Sequence, residues 1–144
     1  MTQQSYSNHI KFVPLFHFFA LPVLVINFFW SCFRVWRMHF SIESIFGVVV
    51  AAALVGALFC ARLFALAVQD RVIRLEERLR FERLLAADLT ARFDEFTIAQ
   101  LVSLRFASDV ELPELARKVL GEKLQDRKQI KQMVKNWRAD YLRA

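Results

Sequence analysis

Residues 42–89 read IESIFGVVVAAALVGALFCARLFALAVQDRVIRLEERLRFERLLAADL, one helical stretch with two solvents. Its first part, Ser44 to Ala61, contains no Asp, Glu, Lys or Arg. Its second part, Gln69 to Leu89, is dense in Arg and Glu, with apolar residues still at helical spacing. No Gly or Pro interrupts it after Gly56. At ~1.5 Å per residue the helix would be roughly 70 Å long, whereas about 20 residues cross a bilayer core. The expectation is a membrane span that continues into water as a stalk.

Upstream, Phe12 to Phe33 is a second run without a charge, also long enough to span. Pro14 stands where a helix start tolerates it, and Pro22 should kink or loosen the middle. The run is too long for a cleaved signal, and bulky residues crowd its end. Between the runs, Arg34 to Ser41 carries Arg34, Arg37 and His39 among Trp30, Trp36 and Phe40, a composition suited to a membrane interface. Arg34 and Arg37 flank the turn, whereas Lys11, Arg62, Arg71, Arg74, Arg78, Arg80 and Arg83 lie near the opposite ends. That asymmetry puts both termini in the cytoplasm. The fold class expected is therefore an all-α membrane protein. It has an N-terminal tail (1–11), a transmembrane hairpin (12–68, spans 12–33 and 44–66), a helical stalk (69–96) and a three-helix basic head (97–144).

Two features of the hairpin point to helix contact. On the first span His17, Ala20, Leu24, Asn27, Ser31 and Arg34 share one mostly polar or small stripe, and polar residues in lipid tend to face protein. On the second, Ala52, Gly56 and Cys60 form one small row, and Ala53, Ala57, Ala61 and Ala65 the next. Small rows let helix backbones approach closely. One row is expected to pack on the first span through Ala20, Leu24 and Asn27, leaving the other for a partner. His17 is also the single candidate for holding a haem or chlorin, but it has no second ligand, and no cofactor is expected. Cys32 and Cys60 fall toward opposite faces of the hairpin, too far apart for a disulfide within one chain.

The stalk has apolar residues at Val68, Val72, Leu75 and Leu79, roughly a heptad seam. Its acids precede bases four residues on, as in Asp70–Arg74, Glu76–Arg80 and Asp88–Arg92. In the head, Thr97 with Gln100 forms a capping box for a helix 98–107. Pro113 opens a helix that Gly121 stops. Asp126 caps a last helix to Leu142, with Ile130, Met133, Val134, Trp137 and Tyr141 on one face and Arg127, Lys128, Lys131, Lys135 and Arg138 on the other. The formal charge is +6. From Ala116 to Ala144, nine Lys or Arg face three Asp or Glu, so that tail holds the excess. Arg105 falls on the apolar face of its helix and needs an acid, with Asp109, Glu111 and Asp140 as the candidates.

The run Leu104-Arg105-Phe106-Ala107-Ser108-Asp109-Val110-Glu111-Leu112-Pro113-Glu114-Leu115, followed by Ile130-Lys131 and Trp137-Arg138-Ala139-Asp140, resembles a family of small two-span bacterial membrane proteins of unknown function. The resemblance implies a bacterial inner-membrane location and supplies no activity. The residues themselves carry no Ser-His-Asp set, no C-x-x-C and, with three Gly in all, no phosphate-binding Gly loop. The expected function is non-catalytic: an accessory subunit or homo-oligomeric scaffold whose partners are the bilayer and a protein, itself or another. The alternative is a tethered module whose basic last helix meets anionic lipid or, less favoured, nucleic acid; a pigment- or haem-associated subunit resting on His17 is the third reading.

Overall fold

The computed structural model of the protein describes residues 5–6 and 12–140, and its regular elements among the described residues are all helices. Of the residues used above, Lys11, Tyr141 and Leu142 lie outside the described ones, as does the 1–11 tail apart from Ser5 and Tyr6. Two compact units form, Lys11–Leu66 and Ala67–Ala144, the latter joined by Tyr6. Two helices are long and apolar enough to cross a membrane.

In the first unit a π-helical segment, Leu15–Ala20, leads directly into α1, Leu21–Arg37. Pro22 explains the change of pitch. It has no N–H to return to Phe18, and its ring would press on that carbonyl. The chain meets this with a wider turn, in which the Leu21 N–H reaches Phe16, five residues back. The expected loosening at Pro22 thus takes a specific form. The break between the apolar runs is shorter than 34–41, because α1 persists to Arg37. His39 and Phe40 then take left-handed conformations (φ 48° and 60°), and the Phe40 N–H closes on the Val35 carbonyl at 3.0 Å. Ser41 caps the next helix, its Oγ accepting from the Ser44 N–H at 3.3 Å.

That helix, α2, runs Ile42–Leu84. Within the first unit its more covered face is Ser44, Val48, Ala51, Val55, Leu58 and Arg62. Facing residues on the earlier segment are His17, Ala20, Leu24, Phe28 and Ser31, all half-buried, while Asn27 and Arg34 are exposed. The Arg62 guanidinium lies over the Phe16 ring at 5.9 Å, a cation–π contact between the two helical segments.

The second unit is built on the rest of α2. The expected stalk of 69–96 is one helix only as far as Leu84. Ala86 is extended, and α3 (Ala87–Thr90) and a 3₁₀ turn (Phe93–Glu95) fold back. Phe81 draws them in, meeting Phe93 and Phe96 edge-on at 5.3 Å each. The α4 helix, Ile98–Leu104, begins at the expected Thr97–Gln100 capping box. Next, α5 (Leu112–Gly121) buries Leu112, Leu115, Ala116, Val119 and Leu120. The last helix, α6 (Arg127–Met133), starts at Asp126, which accepts from the Lys128 N–H at 2.9 Å. These elements share one core with Phe81, Leu85, Leu89, Leu101, Leu104 and Ile130.

The last helix does not reach Leu142. It ends at Met133, and the chain then bends at 135–136 and pairs at Trp137 instead. The Ser108 N–H donates to Asn136 at 3.0 Å, and the Arg138 N–H to Phe106 at 2.7 Å, around an antiparallel Ala107–Trp137 bridge. Trp137 stacks on Phe106 with ring centroids 4.6 Å apart. Helical propagation loses here to three gains at once: two backbone bonds, an aromatic stack, and a carboxylate that binds the turn. That carboxylate is Glu111, which accepts from the Lys135 and Asn136 N–H groups at 2.8 and 3.0 Å.

Candidate functional site

Two places hold the residues singled out above: an ionic cluster in the second unit and the open rows of α2 in the first. The cluster begins on α2 with Glu77 and Arg80, each only 3 % exposed. They share the helix face that carries Ile73, Phe81 and Leu84 into the head. Arg80 is fully engaged. Its Nε donates to Asp109 at 2.9 Å, its Nη2 to the Ala107 carbonyl at 2.6 Å, and its Nη1 faces Glu77 at 3.4 Å. The Arg138 guanidinium approaches Glu77 from the other side at 3.9 Å. Burial nevertheless pushes the Glu77 carboxyl above its ordinary range, the two guanidiniums opposing that rise without cancelling it.

Arg105 is buried and its Nη1 lies 3.3 Å from Asp140. Its guanidinium also covers the Phe106 ring at 4.6 Å. Of the three candidate acids, only Asp140 forms an ion pair with Arg105 among the described residues. Asp109 is taken by Arg80, and Glu111 by the backbone of Lys135 and Asn136. The reason is reach: the α4–α5 connection carries Asp109 toward α2, and the tail after α6 brings Asp140 back over Arg105. A groove of about 910 Å³ separates this tail from α2, with Val72, Glu76, Leu79, Arg105 and Arg138 on its walls. The cluster's chemistry is that of a clamp. Paired charges and carbonyl acceptors fix the Arg105–Asp109 run and the Arg138–Asp140 tail against one helix.

Sequence reading missed Arg80, although its neighbours signalled it. Ile73, Phe81 and Leu84 are apolar and spaced 8 and 3 apart, and Arg80 and Glu77 complete their face. The local pairs expected on α2 and after it are replaced too. Arg74 reaches Asp94 at 2.9 Å, Arg92 pairs with Glu95 at 2.8 Å, and Asp88 meets Arg117 at 3.3 Å. The basic face is divided as well. Arg127, Lys128 and Lys131 lie on α6, but Lys135 and Arg138 lie beyond its end. Lys131 lies over Phe106 at 5.3 Å.

In the first unit neither small row is used for packing on α1. Ala52, Gly56 and Cys60 are exposed, and so are Ala53, Ala57, Ala61 and Ala65. A methyl group added at Gly56 would meet nothing within 4 Å. Ala51, not its neighbours, is the buried small residue, at 1 % exposure. The expected packing of one row against Ala20, Leu24 and Asn27 is therefore corrected: the contact stripe is rotated by about one residue, and both rows are open. His17 sits half-buried between Phe12 and Phe16, with Nδ1 at 3.0 Å from the Val13 carbonyl. No group of three or more His, Cys, Asp or Glu side chains able to hold a metal occurs among the described residues.

Comparison with known proteins gives one finding. No curated protein and no solved structure matches the chain. Of the three motif pieces quoted from the sequence, 104–115 and 137–140 are the segments that the Phe106–Arg138 and Arg105–Asp140 contacts join. The model of a family described as "Family of unknown function (DUF6526)" matches residues 1–144, and the chain belongs to that family.

Proposed function

We propose that this is a non-catalytic, membrane-embedded interaction protein, an accessory subunit or scaffold of a bacterial inner-membrane assembly. Its two apolar helices cross the bilayer as a hairpin, with both termini and the head in the cytoplasm. Two contacts support that arrangement. Phe16 and Arg62, near opposite ends of the two apolar runs, lie together. Tyr6, before the first run, lies 3.4 Å from Gln132 of the head, which fits a common side for the N-terminus and the head.

The observation that carries the reading is the open state of both small rows on α2, with Gly56 facing unoccupied space. In lipid there is no hydrophobic drive between helices, so close backbone approach must supply the association. A helix that packs on its own hairpin through Ser44, Val48, Ala51 and Val55 keeps the Gly56 and Ala57 rows for another chain. Gly56→Leu and Ala57→Leu, made separately, test this. Each variant should insert normally, and at least one should change native-gel size or the proteins that co-purify in mild detergent. Unaltered size and partners in both would refute it. The alternative based on a basic last helix has less support, since α6 ends at Met133 and its basic residues are divided.

A further inference from the structure

Beyond the apolar run, α2 has a second apolar face. Val68, Val72, Leu75 and Leu79 are 61, 48, 60 and 53 % exposed, while the head packs on Ile73, Glu77, Arg80 and Phe81. The steps of four, three and four make the exposed four a heptad seam, with Val72 and Leu79 at a and Val68 and Leu75 at d. We infer that this seam pairs with the same seam of a second copy of the chain, the two α2 helices running parallel. This names the partner within the function proposed above and rests on that reading.

Three observations select a second copy. First, copies inserted in one membrane in the same sense have parallel α2 helices, so a self-complementary seam meets itself in register. Second, the flanking charges fit that register. In a parallel pair the g residue of one helix faces the e residue five positions later on the other. Arg71 is at g and Glu76 at e, so each copy offers one cation and one anion to its mate. Neither forms an ion pair within the described chain, although most of the surrounding arginines do. Third, the seam ends where the register turns unfavourable. Arg78 and Arg83 would be the next g–e meeting and Glu82 the next d residue; there Arg78 turns to Glu82 of its own helix at 3.4 Å. Four partly exposed side chains are well short of the ~800 Å² per partner of a stable interface. The seam therefore joins chains already confined to one membrane and does not gather them from solution.

The test uses the full chain in native membranes, with Cys32→Ser and Cys60→Ser as background. Val72→Cys at a seam position and Ala67→Cys, about a third of a turn off the seam, are oxidised separately. A disulfide needs Cα atoms within about 7 Å, so Val72→Cys should form dimer at least tenfold faster than Ala67→Cys. Arg71→Glu should lower the Val72→Cys dimer yield about tenfold, and adding Glu76→Arg should restore it, because the double swap rebuilds both cross-pairs. Equal rates at the two cysteines, or no restoration by the double swap, would overturn the self-pairing. Should Gly56→Leu change the co-purifying proteins while Val72→Cys forms no dimer, the interaction reading survives and the second copy is refuted. If neither effect occurs, both fall.

Discussion

Replacing Arg80 by Met should be the most damaging single change available on the exposed length of α2. The residue is as buried as Glu77 beside it, and its guanidinium serves Asp109, Glu77 and two main-chain carbonyls. Met preserves the stem's packing and the helix propensity, so the loss is electrostatic. Asp109 is mostly exposed and can return to water at little cost. Glu77 and the Ala107 carbonyl cannot. Stranding a buried charge costs about 3–5 kcal/mol, and an unsatisfied carbonyl about 1–3 more. For a cooperative unit of this size, 1 kcal/mol moves Tm by roughly 4–8 °C, so a net loss of about 3 kcal/mol should lower the melting of the head by about 12 °C or more. Part of the charge term is avoidable, because Arg138 stays 3.9 Å from Glu77 and Glu77 can take up a proton.

The assay is thermal unfolding of the full chain in detergent, followed by the near-UV signal of Trp137 with Trp30 and Trp36 replaced by Phe. The second arm is the double variant Arg80→Met with Glu77→Leu. It removes the stranded charge and should recover about half of the loss, leaving the carbonyl term. A single variant within 3 °C of the parent would refute the clamp. So would a double variant no better than the single, since the damage would then be one of shape.

The raised pKa of Glu77 gives a pH signature. A carboxyl raised in the folded state contributes stability that is fully present below its unfolded value and is lost as pH rises through its folded value. The parent minus Glu77→Gln difference in Tm should therefore become more positive as pH falls from neutral toward the ordinary carboxylate range; a difference that moves the other way refutes the burial effect. Arg105→Met should cost about 2–4 kcal/mol in the same melt, and Arg105→Lys less, because a point charge keeps the attraction to Asp140 and loses the planar cover of Phe106. Impermeant thiol labelling from the side proposed to face away from the cytoplasm, in the background without Cys32 and Cys60, should modify Met38→Cys and spare Val110→Cys; labelling of Val110→Cys alone reverses the proposed orientation.

What the sequence made legible is what is decided locally. The two apolar runs, the caps at Thr97 and Asp126, the Pro113 helix start and the local loosening at Pro22 all depend on residues within one or two turns. The errors came where two local answers were nearly equal. On α2, Val72, Leu75 and Leu79 form a clean apolar stripe, so periodicity favours them as the inner face. The face that the head uses includes Glu77 and Arg80, and two charges hide it from any count of apolar residues. The last helix failed for a related reason. Its amphipathic pattern continues through Trp137, but Glu111 and Phe106, distant in sequence, offer the 134–138 backbone better partners than the helix does. Ion pairs between helix neighbours lost in the same way to Asp94, Asp109 and Arg117.

The hidden face gives the visible one its meaning. A helix in water that is apolar on one side buries that side against its own domain. This one is apolar on two. The head covers the side that a sequence reader passes over, the side with buried charges, and leaves open the side that looks like a core. Contiguous exposed apolar surface is rare on a chain with no partner, and here it would persist at Val68, Val72, Leu75 and Leu79 only at a cost in solubility. The two faces also differ in what they can do. The Glu77–Arg80 face is fixed by specific pairs to one tail and one loop, so it determines a single internal arrangement. The Val68–Leu79 face borders the groove beside the Arg138–Asp140 tail and, among the described residues, is held by no such pairs; on the self-pairing inferred above, Arg71 and Glu76 beside it complement a parallel copy of themselves. On the self-pairing inferred above, such a helix holds its own head by one face and meets its copy by the other.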